Sequence, residues 1–379
     1  MKKIWIGIGI MVIVALATML IVTQTRKELR EIKIGAILPL TGDGAKYGEA
    51  AKKGIDLALE EINRQGEVKG TKIKVIFEDT QGDPKVGVSA VRKLTTIDKV
   101  PAIIGDLFSS VTLAVAPIMN QNKTVLLSPA SSAPKITEAG DYIFRNCASD
   151  IFEGSIMGRF AANEIGMKRI ALLYINNDYG VGIRDVFKKT FISEGGLITV
   201  EEAFEQGATD FRTQLTKVKG SNPQAVYIVG YKELGQLLKQ AREIGINLQF
   251  LSTVMFEDPE IIKIAGPAAE GVIYSARAYD PGSMDKSTRE FVTKFMHRYN
   301  ESADIFAALS YDAMKILSLA MERGGFTSDK IKDALYTIKH YPAVVGDTSF
   351  DENGDVIQPA VIKTVKNGEF INLEGKDNY

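Results

Sequence analysis

The sequence predicts an α/β protein made of two similar lobes, each built around a parallel sheet. From residue 32 onward, short apolar runs alternate with amphipathic stretches, which is the pattern of repeated strand–helix–strand units. The chain has 379 residues, enough for two ordinary domains. The two halves also begin alike: a strand, a short loop ending in Tyr-Gly and a helix occur at Tyr47-Gly48 and again at Tyr179-Gly180.

The first half alternates regularly between strands and helices. Apolar runs predict strands at 32–38, 72–78, 101–105 and 124–128. Helices are predicted at 48–65, 84–97 and 112–120. The first of these helices carries Ala51, Ile55 and Ile62 at helical spacing, which gives it one apolar face.

The second half repeats this alternation and then becomes mixed. Strands are predicted at 169–174, 197–200, 225–230 and 249–252, with helices at 182–194, 211–219 and 234–244. Three amphipathic helices follow at 286–299, 307–323 and 328–338. The acidic stretch 351–355 predicts a hairpin turn between strands at 348–350 and 356–365, since it lacks the spacing of a calcium-binding loop.

The N-terminal segment, residues 1–31, has the composition of a signal peptide or a membrane anchor. Two lysines precede an uncharged apolar run at 4–22, and Arg26-Lys27-Glu28 closes it. The run exceeds the usual 7–15 apolar residues of a signal peptide and approaches the roughly 20 that span a bilayer, so an uncleaved anchor is the preferred interpretation. We therefore expect the rest of the chain outside the cytoplasm, in the periplasm or at the cell surface.

Composition and motifs argue against several classes of function. Forty-six Lys and Arg against 47 Asp and Glu leave a net charge of -1, which gives no attraction for nucleic acid. The sequence has no phosphate-binding lysine loop, no Gly-x-Ser-x-Gly elbow and no zinc-binding His-Glu-x-x-His motif. His297 and His340 have no partner at metal spacing, and the single Cys147 is best explained as a buried small apolar residue. We expect no enzyme activity, no cofactor and no metal.

Small hydroxyl residues follow two of the predicted strands, where each strand ends. Ser109 and Ser110 come after the strand at 101–105, and Ser131 and Ser132 come after the strand at 124–128. Open α/β sheets bind ligands at the carboxyl ends of their strands. Hydroxyls and free N–H groups at a helix N-terminus suit a carboxylate, although serines there also serve simply as helix caps. We predict a carboxylate-binding site at this edge.

The stretch 34–42, IGAILPLTG, with Tyr47-Gly48, resembles the opening of the periplasmic leucine/isoleucine/valine-binding proteins, the type I receptors of ABC transporters. Further similar motifs follow in order, at 59–63, 78–84, 104–110, 128–130, 178–180, 210–211, 235–242, 270–272 and 350–355. The resemblance runs from about residue 32 to about residue 370, and the conserved order of the motifs makes it specific.

This resemblance implies the type I periplasmic binding protein fold, with two Rossmann-like lobes joined by a three-segment hinge. We expect crossovers near Cys147, Ala278 and Gln358. Residues 32–147 and 278–358 are then the N-terminal lobe, and 148–277 and 359–379 are the C-terminal lobe. An N-terminal hydrophobic helix precedes both lobes in this prediction.

The family's ligand-binding residues correspond to particular positions in this chain. The resemblance implies that Ser109 binds the ligand carboxylate, with a backbone contact from Ala130 and a hydroxyl contact from Ser132. Tyr47 corresponds to a wall residue near the ligand side chain. Two aromatic residues of the second lobe correspond to Tyr179 and Tyr231, and the latter is expected near the α-amino group. Ser131, in the same hydroxyl cluster, completes this part of the candidate site.

One position departs from the family pattern. Receptors for α-amino acids have an acidic residue after the strand at 249–252, but this chain reads Thr253-Val254-Met255-Phe256 there, with Glu257 and Asp258 a few residues later. A buried ammonium without a counter-ion costs several kcal/mol. Either Glu257 reaches the site, or the ligand is not an α-amino acid and the two acids simply begin the next helix.

Taken with the resemblance, the sequence indicates an extracytoplasmic solute-binding protein of an ABC importer. The expected ligand is a branched-chain amino acid or a related carboxylate or amide, captured by closure of the two lobes. ABC permease subunits are the expected protein partners. The alternative is a ligand-sensing domain that signals to a membrane partner, and a hydrolase or transferase of small amides is the least favoured interpretation.

Overall fold

The computed structural model of the protein describes residues 30–65, 68–277, 279–358 and 360–373. Within these ranges the chain forms two large sheets flanked by helices, which confirms the predicted α/β class. The predicted hydrophobic helix at the N-terminus lies outside the described residues. No helix of the described part is both long and apolar enough to cross a membrane.

The first sheet contains five parallel strands. In chain order, its elements are β1 (Arg30–Leu38), α1 (Ala45–Arg64), β2 (Thr71–Asp79), α2 (Pro84–Arg92), β3 (Ala102–Ile104), α3 (Ser109–Gln121), β4 (Val125–Ser128) and β5 (Ile143–Arg145). The strands lie in the order β2-β1-β3-β4-β5. Every residue of β3, β4 and β5 is buried, as expected for parallel strands that are covered on both faces.

The second sheet contains seven strands. Its elements are α4 (Asp150–Arg159), β6 (Arg169–Ile175), α5 (Asp178–Ser193), β7 (Leu197–Phe204), α6 (Arg212–Gly220), β8 (Ala225–Val229), α7 (Glu233–Glu243), β9 (Gln249–Ser252), α8 (Pro259–Ala265) and β10 (Ile273–Arg277), with two later strands. Strands β6 to β10 are parallel. The strand order is β14-β13-β10-β9-β8-β6-β7, where β13 (Ala360–Lys366) and β14 (Glu369–Asn372) are antiparallel additions.

After β10 the chain returns to the helices of the first sheet. The returning elements are α9 (Lys286–Tyr299), α10 (Ile305–Gly324), α11 (Ser328–Tyr336), β11 (Tyr341–Ala343) and β12 (Gly346–Thr348). Helix α10 packs along α1. The two backbones approach closely at Gly54, where an added Cβ would lie 2.1 Å from the Ala307 carbonyl oxygen. This contact ties the late helices to the beginning of the chain.

The chain passes three times between the two groups of elements, after β5, after β10 and before β13. Two of these passages run side by side. Ala148 forms an isolated parallel bridge with Val356, and the Gln358 side-chain amide donates to the Asn146 carbonyl at 3.1 Å.

The repeated Tyr-Gly pairs occupy equivalent places in the two halves. Each lies in the first turn of a helix, α1 or α5, that follows the first strand of its sheet. A Cβ on Gly48 would lie 2.1 Å from the Pro39 carbonyl oxygen, and one on Gly180 would lie 2.0 Å from that of Ile175. Only glycine permits this close packing of helix against strand end. The packing fixes the preceding tyrosine at the carboxyl edge of its sheet.

Candidate ligand-binding site

Residues from both halves of the molecule enclose one small cavity at the carboxyl ends of the two sheets. Its free volume is about 20 Å³. The lining residues are Tyr47, Leu107, Phe108, Ser109, Ala130, Ser132, Tyr179, Tyr231, Val254, Met255 and Phe306. Six of the eight sequence-predicted site residues are in this set; Ser131 and Glu257 are not.

Ser109 supplies a hydroxyl at the N-terminus of α3. Its Oγ accepts a hydrogen bond from the Ala133 N–H at 3.2 Å, which uses a lone pair and leaves the hydroxyl proton for a ligand. The N-terminal end of the 13-residue helix adds partial positive charge. Ser132 and Ala130 lie on the facing loop after β4 and line the same cavity. This end of the cavity therefore suits a carboxylate.

Ser131 has a structural role, in contrast to its neighbours. Its side chain is fully buried and donates to the Asp106 carbonyl at 2.9 Å, and it lies 2.8 Å from the Thr112 hydroxyl. The Ser128 hydroxyl also donates to the Asp106 carbonyl and accepts from the Ser131 N–H. These bonds hold the loop after β4 against the loop after β3, and they point Ser131 away from the cavity.

Arg145 also holds the loop after β4 in place, a role that sequence analysis did not identify. The side chain is completely buried. Nη1 donates to the carbonyl oxygens of Ser132 and Ala133, both at 2.9 Å, while Nε and Nη2 each contact a carboxylate oxygen of Asp355 at 2.6 Å. The only signal in the sequence is an arginine within a short apolar stretch. Arg145 thus links the carboxylate-binding loop to the returning segment before β13.

Aromatic side chains form most of the remaining wall. Tyr179 and Tyr231 stack with ring centroids 5.6 Å apart, and the Phe108 ring meets Tyr231 edge-on at 5.3 Å. On the opposite side, Tyr47 packs against Phe306 with centroids 4.8 Å apart. The aromatic surface therefore comes from both halves of the molecule, which is what closure around an apolar ligand body requires.

The three tyrosine hydroxyls stay protonated and have protein partners. Burial raises the pKa of Tyr47, Tyr179 and Tyr231 well above that of a free tyrosine. The Tyr179 hydroxyl lies 2.8 Å from the Thr253 hydroxyl, and Tyr47 donates to Asp258 at 3.2 Å. Asn177, the N-cap of α5, lies near the Tyr231 hydroxyl and limits the rise of its pKa. These contacts fix the ring faces toward the cavity.

Polar contacts join the two halves around the cavity. Asp258 accepts from Lys46 Nζ at 2.6 Å as well as from Tyr47. Lys232 and Asp43 form a second ion pair at 2.8 Å. The structure therefore shows the two halves in contact at the cavity rim, in a closed arrangement.

Glu257 lies outside the cavity. Its Oε1 pairs with Lys363 Nζ of β13 at 2.6 Å, and it lines a neighbouring, larger cavity of about 480 Å³. Burial raises the pKa of the Glu257 carboxyl, and the Lys363 ammonium opposes this rise. Asp258 caps helix α8 by accepting from the Glu260 N–H at 2.9 Å. The structure thus places Glu257 in an ion pair and gives Asp258 the helix-starting role, and neither residue points into the smaller cavity.

Comparison with known proteins is consistent with this geometry. A family model described as periplasmic binding protein matches residues 31–369. A leucine-, isoleucine-, valine-, threonine- and alanine-binding protein of Pseudomonas aeruginosa is 31% identical over 86% of this chain and 87% of its own length. The crystal structure of the leucine-binding protein LivK of Thermotoga maritima is 33% identical, with a TM-score of 0.85 over 90% of this chain and 97% of that one.

A further solved structure has a different kind of ligand. A solute-binding protein of an ABC transporter from Rhodopseudomonas palustris, in complex with 3,4-dihydroxybenzoic acid, is 26% identical with a TM-score of 0.82. It covers 92% of this chain and 96% of its own length. The fold and the cavity between two sheets define a solute-binding protein. The chain belongs to the periplasmic binding protein family.

Proposed function

We propose that this protein is the extracytoplasmic receptor of an ABC importer and captures a small carboxylate-bearing solute between its two lobes. The observation that carries the proposal is the cavity itself. Ser109 and Ser132 from the first lobe face Tyr179 and Tyr231 from the second, so one ligand can contact both lobes at once. A ligand that bridges the lobes favours the closed state by the contacts that only that state allows.

The lobes in this proposal are residues 32–147 with 278–358, and residues 148–277 with the strands β13 and β14. The three passages of the chain between the two groups of elements support this division. A free volume of about 20 Å³ holds roughly one water molecule. A solute of several heavy atoms therefore enters only when the lobes separate, and the three passages act as the hinge.

Binding rather than catalysis fits the residues at the cavity. The relatives are named for binding, and Ser109 accepts from a backbone amide instead of pairing with a general base. Transport requires a membrane permease, and the ABC transporter context of the R. palustris relative supports permease subunits as partners. We further propose that residues 4–22 direct export or anchor the protein at the outer face of the membrane.

A thermal-shift screen tests this function. The panel contains amino acids, their desamino analogues, amides, aromatic acids, nucleotides and sugars, each added to the purified full-length protein. We expect a subset of carboxylates to raise the melting temperature, because ligand at 100 times its Kd stabilises a protein by about 2.7 kcal/mol. Stabilisation by nucleotides or sugars, with none by any carboxylate, would contradict the proposal.

A further inference from the structure

We propose that the site selects monocarboxylates that lack an ammonium group, with a branched aliphatic or aromatic body, over free α-amino acids. This inference rests on the proposed function and specifies its ligand class. The carboxylate would lie at Ser109 and Ser132, and the apolar body against the aromatic wall.

The first argument is the charge of the cavity wall. Among the residues that the structure describes, no acidic side chain lines the cavity; its lining consists of five aromatic residues, two serines, and leucine, alanine, valine and methionine. Neutral hydroxyls accept hydrogen bonds from an ammonium but supply no negative charge. The tyrosines remain neutral because burial raises the pKa of each hydroxyl.

The second argument is that the carboxylates of three further acids, Asp106, Glu153 and Glu233, are held by protein donors. Asp106 accepts from the Thr80 hydroxyl at 2.6 Å and from the Phe108 N–H at 2.8 Å. Glu153 accepts from the Val254 N–H and the Ser275 hydroxyl, both at 2.7 Å. Glu233 accepts from two backbone amides, those of Gly207 and Tyr231. Asp150 is fully buried and does not line the cavity.

The two acids of the loop after β9 are held in ion pairs. Lys363 neutralises Glu257, and Lys46 neutralises Asp258. To recruit either acid, an α-amino acid would have to break a pair that already exists. Stripping an ammonium of water without a counter-ion is costly, and attraction to aromatic ring faces recovers only a small part of that cost.

Met255 is the specificity-determining residue in this arrangement. It lines the cavity directly after β9, and its backbone N–H is fixed by the Thr253 hydroxyl at 3.3 Å. The side chain is half-buried, so a polar residue of the same length can be accommodated. A carboxylate at this position would supply the charge that the wall lacks.

Titration calorimetry with matched ligand pairs tests the inference. The pairs are L-leucine with 4-methylpentanoate and L-phenylalanine with 3-phenylpropanoate, and the protein is the full-length chain. We expect the parent to bind the desamino member of at least one pair ten-fold or more tightly than the amino acid. Met255→Glu should reverse this order, because its carboxylate pairs the ammonium and repels the simple acid.

Met255→Gln is the matched control, since it has the same size and no charge, and it should keep the parental order. Glu257→Gln should also keep that order, because the Glu257 carboxylate pairs with Lys363 and does not contact the ligand.

An amino acid that binds the parent more tightly than its desamino analogue overturns the inference but leaves the proposed function intact. If no carboxylate of any kind binds, the proposed function fails and the inference fails with it. If Met255→Glu does not fold, the affinities of the parent protein for each amino acid and its desamino analogue decide the inference.

Discussion

Replacing Arg145 with methionine is expected to lower the free energy of unfolding by about 3–5 kcal/mol, the usual cost of removing one partner of a buried ion pair. The substitution leaves the Asp355 carboxylate, which is only 7% exposed, without its partner guanidinium. It also removes the donor to the Ser132 and Ala133 carbonyls. Urea unfolding of the parent and the variant measures the difference.

A double variant separates the loss of charge pairing from the loss of loop support. Arg145→Met combined with Asp355→Leu removes both charges, so we expect it to regain a large part of the lost stability. Ligand affinity should stay below that of the parent even in the double variant, because the loop that carries Ser132 still lacks its donor. An Arg145→Met variant as stable as the parent would show that the ion pair does not support the fold.

Replacing Ser109 with alanine is expected to weaken binding by about 1.5–3 kcal/mol, the usual value for a hydrogen bond to a charged group. That corresponds to roughly a ten- to 150-fold rise in Kd. Tyr179→Ala should weaken binding similarly by removing the ring that stacks on Tyr231. Calorimetry with the best ligand of the screen measures both variants, and circular dichroism checks that they remain folded.

Two conservative substitutions serve as controls for these variants. Ser89→Ala changes an exposed serine whose hydroxyl only contacts its own helix, and it should bind as the parent does. Tyr179→Phe keeps the ring and loses only the contact with Thr253, so most of the affinity should remain. If Ser109→Ala and Tyr179→Ala both bind like the parent, the ligand occupies another place.

The part of the fold in which strands and helices alternate could be predicted from sequence, because the hydrophobic pattern of each of its longer elements lies within one continuous stretch of chain. The long helices α1 and α10 have clear periodicity, and β8 and residues 34–38 of β1 are continuous buried runs. The strand β5 has three residues, too few for any periodicity. Short elements of this kind depend on tertiary pairing rather than local pattern.

The turn predicted at 351–355 is confirmed, since the Asp351 N–H donates to the Asp355 carbonyl at 2.8 Å, but the strands predicted at 348–350 and 356–365 do not pair into an extended hairpin. Phe350 and Val356 form only an isolated bridge. The strand β13 pairs instead with β10, far away in sequence, and with β14. Asp355 in the intervening turn is bound to Arg145. The competing partners belong to the second sheet and to β5, and no local pattern reveals them.

The polar residues of the candidate site could be predicted because they follow the ends of strands. The apolar residues could not, because only tertiary packing determines which of them line the cavity. Ser109 and Ser132 stood out as hydroxyls after buried strands. Phe108, Met255 and Phe306 did not, because an apolar residue in a loop has the same sequence signal whether it joins the core or lines a cavity. Glu257 was a reasonable candidate by its position in the sequence after β9, but in the structure its carboxylate forms an ion pair with Lys363 of β13.

A crystal structure of the protein with the tightest ligand from the screen tests the central claim most directly. We expect the ligand between the lobes, its carboxylate within hydrogen-bonding distance of Ser109 Oγ and its apolar body between Tyr47 and Tyr179. The lobes should close around the ligand in a cavity wider than the about 20 Å³ of this structure. A ligand bound in the larger cavity beside Glu257, or on a single lobe, would contradict the account.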